Sequence, residues 1–129
     1  MNSIAVAIRK KLINDPTLKA IQGERVYPTH INSVTNPVYP CSTQGREGGG
    51  TTANLIATDV EQKIDVWSKV GYDELWLIYN QIRKLLHLQP LAVTDGQVFS
   101  IKETYVNDNL YEPTTKTWHL ASRYKIISR

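Results

Sequence analysis

Cysteine is nearly absent from this sequence, with Cys41 the only one in 129 residues. A lone cysteine cannot form an intramolecular disulfide, which suits a reducing compartment, and it excludes metal sites built from several cysteines. Long apolar runs are also lacking, since no stretch approaches the roughly 18 residues that span a bilayer. No secretory signal is visible near the start either. We therefore expect a soluble intracellular domain.

Charge of one sign does not dominate, because 15 Lys and Arg stand against 12 Asp and Glu. The distribution is nevertheless uneven: residues 1–25 carry +3, residues 26–113 carry −4 and residues 114–129 carry +4. A nucleic-acid reader usually gathers its basic residues on one face or one helix. The pattern is either ordinary solvated charge or a surface with separate patches of opposite sign, suited to contacts between subunits.

Residue types that perform catalysis or bind metals are few and scattered. His30, His87 and His119 lie on separate predicted elements and show no metal-ligand spacing. For Cys41, a small half-buried strand residue is favoured over a nucleophile paired with histidine. The glycines at residues 45–50 lack the Lys-Ser/Thr and the preceding strand of a phosphate loop. The sequence therefore predicts no enzymatic activity, no metal and no cofactor.

Helical periodicity occurs in two parts of the chain. The first begins near Ser3, a suitable N-cap, and Asp15-Pro16 then starts a second helical turn that Gly23 ends. The other part runs from about Tyr72 to His87 and carries a broad apolar stripe. The residues of this stripe are Leu75, Ile78, Tyr79, Ile82, Leu85 and Leu86.

Alternation of apolar and polar residues predicts strands with one apolar and one polar face. Prolines interrupt the earlier strands, which favours an edge position or an extended loop there. The predicted strands lie at residues 25–29, 38–43, 57–67, 97–106 and 117–127.

The strand at residues 97–106 follows the Asp95-Gly96 turn signal. Its alternation places Phe99, Ile101 and Tyr105 on one face. Residues 107–109 are predicted to begin the connection to the last strand.

The element order α-β-β-β-α-β-β predicts an α+β fold, with a mostly antiparallel sheet and two helices packed on one face. No internal repeat or linker divides the chain, so residues 1–129 are predicted to form a single domain. Residues 45–54 are predicted to be a flexible glycine-rich loop within it, because three consecutive glycines carry high chain entropy.

One predicted strand carries a row of charged residues on its polar face. Carboxylates spaced two residues apart could serve acid–base chemistry or hold a divalent ion. A lysine within the same row favours a solvated surface of ion pairs instead. The residues of this row are Asp59, Glu61, Lys63 and Asp65.

The aromatic residues are spread over the predicted elements, whereas RNA-binding sheets usually cluster them with Arg and Lys on adjacent strands. Trp76 stands apart because it lies off the apolar stripe of its helix. A tryptophan in that position either anchors an interface or packs under a loop. We take Trp76 as a candidate interface anchor.

In their order along the chain, three segments resemble the tail-terminator (tail-completion) proteins of long-tailed bacteriophages. The first segment runs from Asp15-Pro16-Thr17-Leu18 to Gly23-Glu24-Arg25-Val26-Tyr27-Pro28, a helix that leads into a short strand. The second is Ile64-Asp65-Val66-Trp67, followed directly by the amphipathic helix. The third is Asn109-Leu110-Tyr111-Glu112-Pro113-Thr114-Thr115-Lys116-Thr117-Trp118-His119, before a closing strand with Arg123-Tyr124.

The resemblance implies a structural virion protein that forms a ring of six copies at the head-proximal end of the tail tube. Such a ring ends tube polymerisation, joins the tail to the head connector, and lets the genomic DNA pass through its hole. The implied partners are copies of itself, the tail tube protein and the connector or stopper protein, with no membrane. The implied location is the neck region of the virion tail, after assembly in the host cytoplasm.

Two sets of residues receive hypothetical roles in such a ring. The charged row of Asp59, Glu61, Lys63 and Asp65 is expected to face the channel or the neighbouring subunit. In the channel its acids would repel the phosphates of DNA. The loop is expected to become ordered against a partner. Its residues are Gly45, Arg46, Glu47, Gly48, Gly49, Gly50, Thr51 and Thr52.

Two alternatives to a tail terminator remain open on the sequence. One is another neck component, such as a connector-stopper protein. The other is a small nucleic-acid-binding α+β domain that uses the basic residues at both ends of the chain, and it predicts DNA binding that depends steeply on salt.

Overall fold

The computed structural model describes residues 3–28, 31–51 and 58–129. The three helices are α1 (Ser3–Ile13), α2 (Pro16–Gln22) and α3 (Tyr72–Leu86). The five strands are β1 (Val26–Tyr27), β2 (Cys41–Thr51), β3 (Thr58–Ser68), β4 (Val98–Glu112) and β5 (Thr117–Ser128), and a short 3-10 helix occupies Ile31–Ser33.

The described strands form one sheet in the order β1-β2-β3-β5-β4. β1 runs parallel to β2, and every other neighbouring pair is antiparallel. The helices pack on one face, which we call the inner face, and the opposite face is called the outer face. The predicted α+β fold with a mostly antiparallel sheet is confirmed. The second helical turn is a full helix, so the described residues form three α-helices where two were predicted.

Local sequence explains where the helices begin and end. The Asp15 carboxylate accepts a hydrogen bond from the backbone N–H of Leu18 at 3.0 Å, and Pro16 opens α2 at a position that needs no N–H donor. In α3, acidic residues occupy the first turn and Arg83 and Lys84 the last, which complements the helix dipole. None of the described helices is both long and apolar enough to cross a bilayer.

The main core lies between the helices and the inner face of the sheet. The predicted stripe of α3 is confirmed, with all its residues buried except the half-buried Leu85. Strand residues from β3, β4 and β5 complete this core. The largest fully buried strand side chains are those of Ile64, Ile101, Leu120, Tyr124 and Ile126.

Glu103 is an acidic residue on the inner face, and its carboxylate contacts three neighbouring polar side chains. Its carboxylate accepts hydrogen bonds from the hydroxyls of Tyr79 at 2.5 Å and Tyr124 at 3.4 Å, and it lies 3.5 Å from the Arg83 guanidinium. Burial, followed by the hydrogen bond and charge of Glu103, raises the pKa of Tyr79. Both tyrosines therefore stay protonated and donate to the carboxylate.

The predicted loop at residues 45–54 is wrong for residues 45–51, because they continue β2 and pair with β3. Gly50 lies opposite Asp59 and Gly45 opposite Lys63 in that ladder. Glycine weakens an isolated strand, but a long antiparallel partner supplies hydrogen bonds that need no side chain. Residues 52–54 lie outside the described residues.

The predicted connection at residues 107–109 is also wrong, since β4 continues to Glu112. The pairing of β4 with β5 shifts register at three places, between Val98 and Ser100, between Glu103 and Tyr105, and between residues 107 and 110. Each extra residue reverses the alternation of faces that follows it. Phe99 and Tyr105 are consequently half exposed and do not share the buried face of Ile101, which corrects the predicted common face.

Candidate functional site

The charged row of β3 lies on the outer face of the sheet, as its alternation predicted. Val60, Ile64 and Val66 point to the helices and are buried, whereas Asp59, Glu61 and Lys63 remain partly accessible on the opposite side. Asp65 belongs to the same row but is only 3% exposed. The row therefore runs from an accessible end at Asp59 to a buried end at Asp65.

Asp65 is the centre of the buried end. Its Oδ2 atom lies 3.3 Å from Lys63 Nζ and 3.2 Å from His119 Nε2. His119 stacks on Trp67 with ring centroids 3.8 Å apart, and the Trp67 indole donates a hydrogen bond to Thr43 at 3.1 Å. These contacts hold the carboxylate in one position between two basic groups.

At the middle of the row, Glu47 connects β2 to the strands beside it. Its carboxylate lies 3.9 Å from Lys63 Nζ and 2.7 Å from Arg123 Nε. This reach across the sheet is a product of the bulge between Arg46 and Gly48, which places Glu47 out of the regular ladder. Arg123 also stacks on Tyr105, 4.8 Å from the ring centre.

The accessible end of the row has a simpler arrangement. Lys125 Nζ lies 3.2 Å from Asp59 Oδ2, with both side chains substantially exposed. Glu61 has Gly48 on one side and Lys125 on the other in the pairing of the strands. Together these contacts make the outer face a network of alternating charges, which is the ion-paired surface favoured by the lysine within the row.

Next to the buried end lies a small second core. Ile31, Cys41 and Trp67 form it, with Tyr27 and Tyr39 packed against them. Burial raises the pKa of the Cys41 thiol to about 12, against an ordinary value of 9.0. Cys41 is a small strand residue as predicted, but it is fully buried rather than half-buried.

Trp76 occupies a half-buried position against the main core. Its indole N–H donates to Asp108 Oδ2 at 3.1 Å, and its ring meets that of Tyr79 edge to face at 5.0 Å. This is the packing beneath a neighbouring segment that the sequence left open. The role of Trp76 as an interface anchor stays a prediction, and Leu77 beside it, 63% exposed, is the more accessible apolar residue of α3.

The pairing of β3 with β5 brings basic residues of one strand beside acidic residues of the other, which the sequence alone did not predict. His119, Arg123 and Lys125 occupy alternate positions of β5 and lie on its outer face. The register of β3 against β5 aligns them with Trp67, Lys63 and Glu61. Both strands show the alternation of apolar and charged residues in the sequence. These ion pairs could therefore have been predicted if the two strands had been known to be neighbours.

The outer face carries paired charges, and the described residues show no catalytic arrangement there. Within them, no three His, Cys, Asp or Glu residues are grouped so that they could hold a metal ion. A cavity beside the row measures about 190 Å³ and is bounded by Thr43, Glu47, Lys63 and Asp65 among others.

Comparison with protein families gives a match over almost the whole chain. Residues 6–129 match the family described as tail completion protein gp17. The chain belongs to this tail-completion family. The resemblance seen in the three sequence segments is thereby confirmed, and a structural tail protein is the class of function that the family supports.

The fold of this tail-completion chain also occurs in a solved assembly. A chain in the structure titled "Virion of native gene transfer agent (GTA) particle" superposes with a TM-score of 0.79, covering 98% of this chain and 94% of that one. The two sequences are only 13% identical, so this likeness concerns the fold alone. A comparison with curated protein sequences gives no match.

Proposed function

We propose that this protein forms a ring, of six copies as the family resemblance implies, at the head-proximal end of a phage tail tube. The ring ends tube polymerisation, docks the head connector or stopper protein, and lets genomic DNA pass through its hole. The single observation that carries the proposal is the match of residues 6–129 to the tail-completion family. The fold shared with a chain of a gene transfer agent virion supports it.

Within this proposal the outer face lines the channel. Asp59, Glu47 and Asp65 each have a basic partner within 4 Å, so the face is closer to neutral than its acids alone suggest. Paired cations are less available to DNA phosphates than free ones, because binding would have to break an existing ion pair. Weak attraction lets DNA slide past, and the surplus carboxylate of Glu61 opposes sticking.

Three of the five basic residues in residues 1–25 donate hydrogen bonds to backbone carbonyls of the protein itself, which disfavours the nucleic-acid-binding alternative. Arg9 donates to the Val26 carbonyl at 3.0 Å, and Arg25 donates to the Pro40 carbonyl at 2.9 Å. Lys11 donates to the Pro90 carbonyl at 2.8 Å. These side chains fasten α1 and the segment after α2 to the rest of the fold.

The proposal is tested by imaging the purified protein alone and together with its tail tube protein. We expect six-fold rings in negative stain, at one end of tubes whose growth has stopped. DNA binding measured across salt concentrations should be weak throughout. A monomer that binds DNA tightly with a steep salt dependence would favour the nucleic-acid alternative, and binding to the portal side without any effect on tube length would favour a connector-stopper.

A further inference from the structure

One edge of the sheet is open over most of the length of β2. β1 pairs only with Ser42 and Thr43, so residues 44–51 have no strand on that side among the described residues. Natural sheets usually protect such edges with charges, prolines or covering segments, because the unpaired backbone groups are ready to accept another strand. This stretch carries two charged residues, Arg46 and Glu47, but four of its eight residues are glycines, at Gly45, Gly48, Gly49 and Gly50.

The opposite edge of the sheet is β4, and only part of it is open. The Leu88 backbone N–H donates to the Ile101 carbonyl at 2.8 Å, and the Glu103 N–H donates to His87 Nδ1 at 3.0 Å. The two residues that follow α3 therefore cover this edge at Ile101 and Glu103. Residues 104–112 have no further strand beside them in the described structure.

We propose that neighbouring copies join when residues 104–112 of β4 in one copy pair with residues 44–51 of β2 in the next, so that the sheets continue around the ring. This inference rests on the ring of the proposed function and names its interface. β2 and β4 run in opposite directions, because three antiparallel pairings separate them. Rotation about a ring axis preserves strand direction, so the new pairing is antiparallel.

The positions of the two open stretches agree with closed-barrel geometry. When the strand registers are followed across the sheet, the midpoint of residues 44–51 and that of residues 104–112 differ by about five residues along the strands. At about 3.4 Å per residue this offset is about 17 Å. Four strand spacings of about 4.8 Å separate β2 from the next copy's β2, or about 19 Å. The ratio corresponds to a strand tilt of about 40°, within the 35–45° range typical of barrels.

Side chains on the two stretches are complementary in size. Tyr105, which is 41% exposed, projects from the open part of β4 on the outer face. The glycines of the open β2 stretch present no side chain against it, and an aromatic ring beside a glycine in a neighbouring strand is a recognised stabilising pair. The ring of one copy thus covers backbone of the next that no side chain of its own strand protects.

The two halves of the outer face are also complementary in charge. On β2 and β3 this face has four acids against one base: Glu47, Asp59, Glu61 and Asp65 against Lys63. On β5 and β4 it has three bases against one acid: Lys102, Arg123 and Lys125 against Glu112. Joining β4 to the next β2 brings the half of one copy that holds these bases beside the acidic half of its neighbour, with Arg123 and Lys125 one strand away from the paired stretch and Lys102 just before it.

The test compares two exposed aromatic residues on the same strand. Tyr105 and Phe99 each stack with an arginine and are 41% and 50% exposed, but only Tyr105 lies in the proposed interface. Native mass spectrometry should show that Tyr105→Ala raises the concentration needed for ring formation at least tenfold, whereas Phe99→Ala leaves it unchanged. Hydrogen exchange of the wild-type protein should slow at residues 44–51 and 104–112 when rings form.

The outcomes separate this interface from the ring itself. Rings that form equally well in both variants, with no new protection on either stretch, would overturn the interface and leave the ring proposal standing. Equal weakening by Phe99→Ala would place the contact elsewhere on β4 and contradict the pairing. A wild-type protein that stays monomeric with its tube protein present would remove the ring and this inference together.

Discussion

The two faces of the sheet differ in how their side chains are stabilised: by apolar burial on the inner face and by ion pairs on the outer face. The inner face is closed by three helices and filled with aliphatic residues such as Ile64 and Leu120, both fully buried. Among the described residues the outer face has no α-helix over it and is covered only beside Cys41 and Trp67, where Ile31 of the 3-10 helix packs. Elsewhere on this face the charges pair with one another across the strands. The difference indicates that stability resides mainly on the inner face, which leaves the outer face free for contacts with other molecules.

The largest expected change in the free energy of unfolding distinguishes the buried side of α3 from its exposed side. Ile78 is fully buried in the core, whereas Leu77 is 63% exposed on the same helix. Ile78→Ala should lower the free energy of unfolding by about 2–5 kcal/mol, since it leaves a cavity. Leu77→Ala should change it by less than about 0.5 kcal/mol. Urea unfolding measures both, and equal losses would mean that α3 does not pack as described.

A pH effect is expected where the outer face is locally buried, at Cys41. Burial raises its pKa to about 12 from 9.0, so the folded state keeps a proton that the unfolded chain releases. This thiol therefore contributes stability that is complete below pH 9 and is lost as the pH rises toward 12. The loss is at most about 1.4 kcal/mol per pH unit.

The check is to compare unfolding of the wild type with Cys41→Ala from pH 8 to 11. The wild-type stability should fall more steeply, and alkylation of the native thiol at pH 8 should be slow until urea unfolds the chain. Parallel pH profiles for the two proteins, or rapid alkylation of the native state, would show that Cys41 is accessible and that the second core is loose.

A smaller effect distinguishes the two ends of the charged row. The Asp65 side chain is 4% exposed and touches two basic groups, whereas that of Asp59 is 34% exposed and has one partner. Asp65→Asn should cost about 2 kcal/mol, because buried charges lose their counterpart. Asp59→Asn should cost less than about 1 kcal/mol, as exposed ion pairs do. Thermal unfolding in low and high salt measures both, and equal costs would mean that burial along the row is uniform.

The smallest effect on stability is expected from charge reversal at the accessible end. Asp59→Lys combined with Glu61→Lys should change the free energy of unfolding by about 1 kcal/mol or less, because surface charges contribute little. The same pair should impair ring closure or DNA passage, measured as assembled rings and phage titre. Glu24→Lys with Asp95→Lys, two exposed acids elsewhere, is the matched control. Unchanged assembly and infectivity in the row variant would remove the functional role of the outer face.

Periodicity alone predicted the elements whose burial follows a single regular pattern. The stripe of α3 and the alternation of β3 and β5 are examples, since a side chain that repeats every 3.6 or 2 residues must face one way. This reasoning fails at bulges, and the first two register shifts of β4 put Phe99 and Tyr105 away from the predicted face. Alternation also could not predict the strand at residues 45–51, because its glycines leave too few side chains to show a pattern.

The sequence by itself determined the α+β class, the division of charge and the tail-completion resemblance, since these depend on residue types and their order. Only the tertiary structure decided which acids meet which bases, because partners such as Asp65 and His119 are 54 residues apart and meet through strand pairing. It also decided that the glycine-rich stretch is an open strand edge. Backbone hydrogen bonds define that edge, and they are invisible in a pattern of side chains.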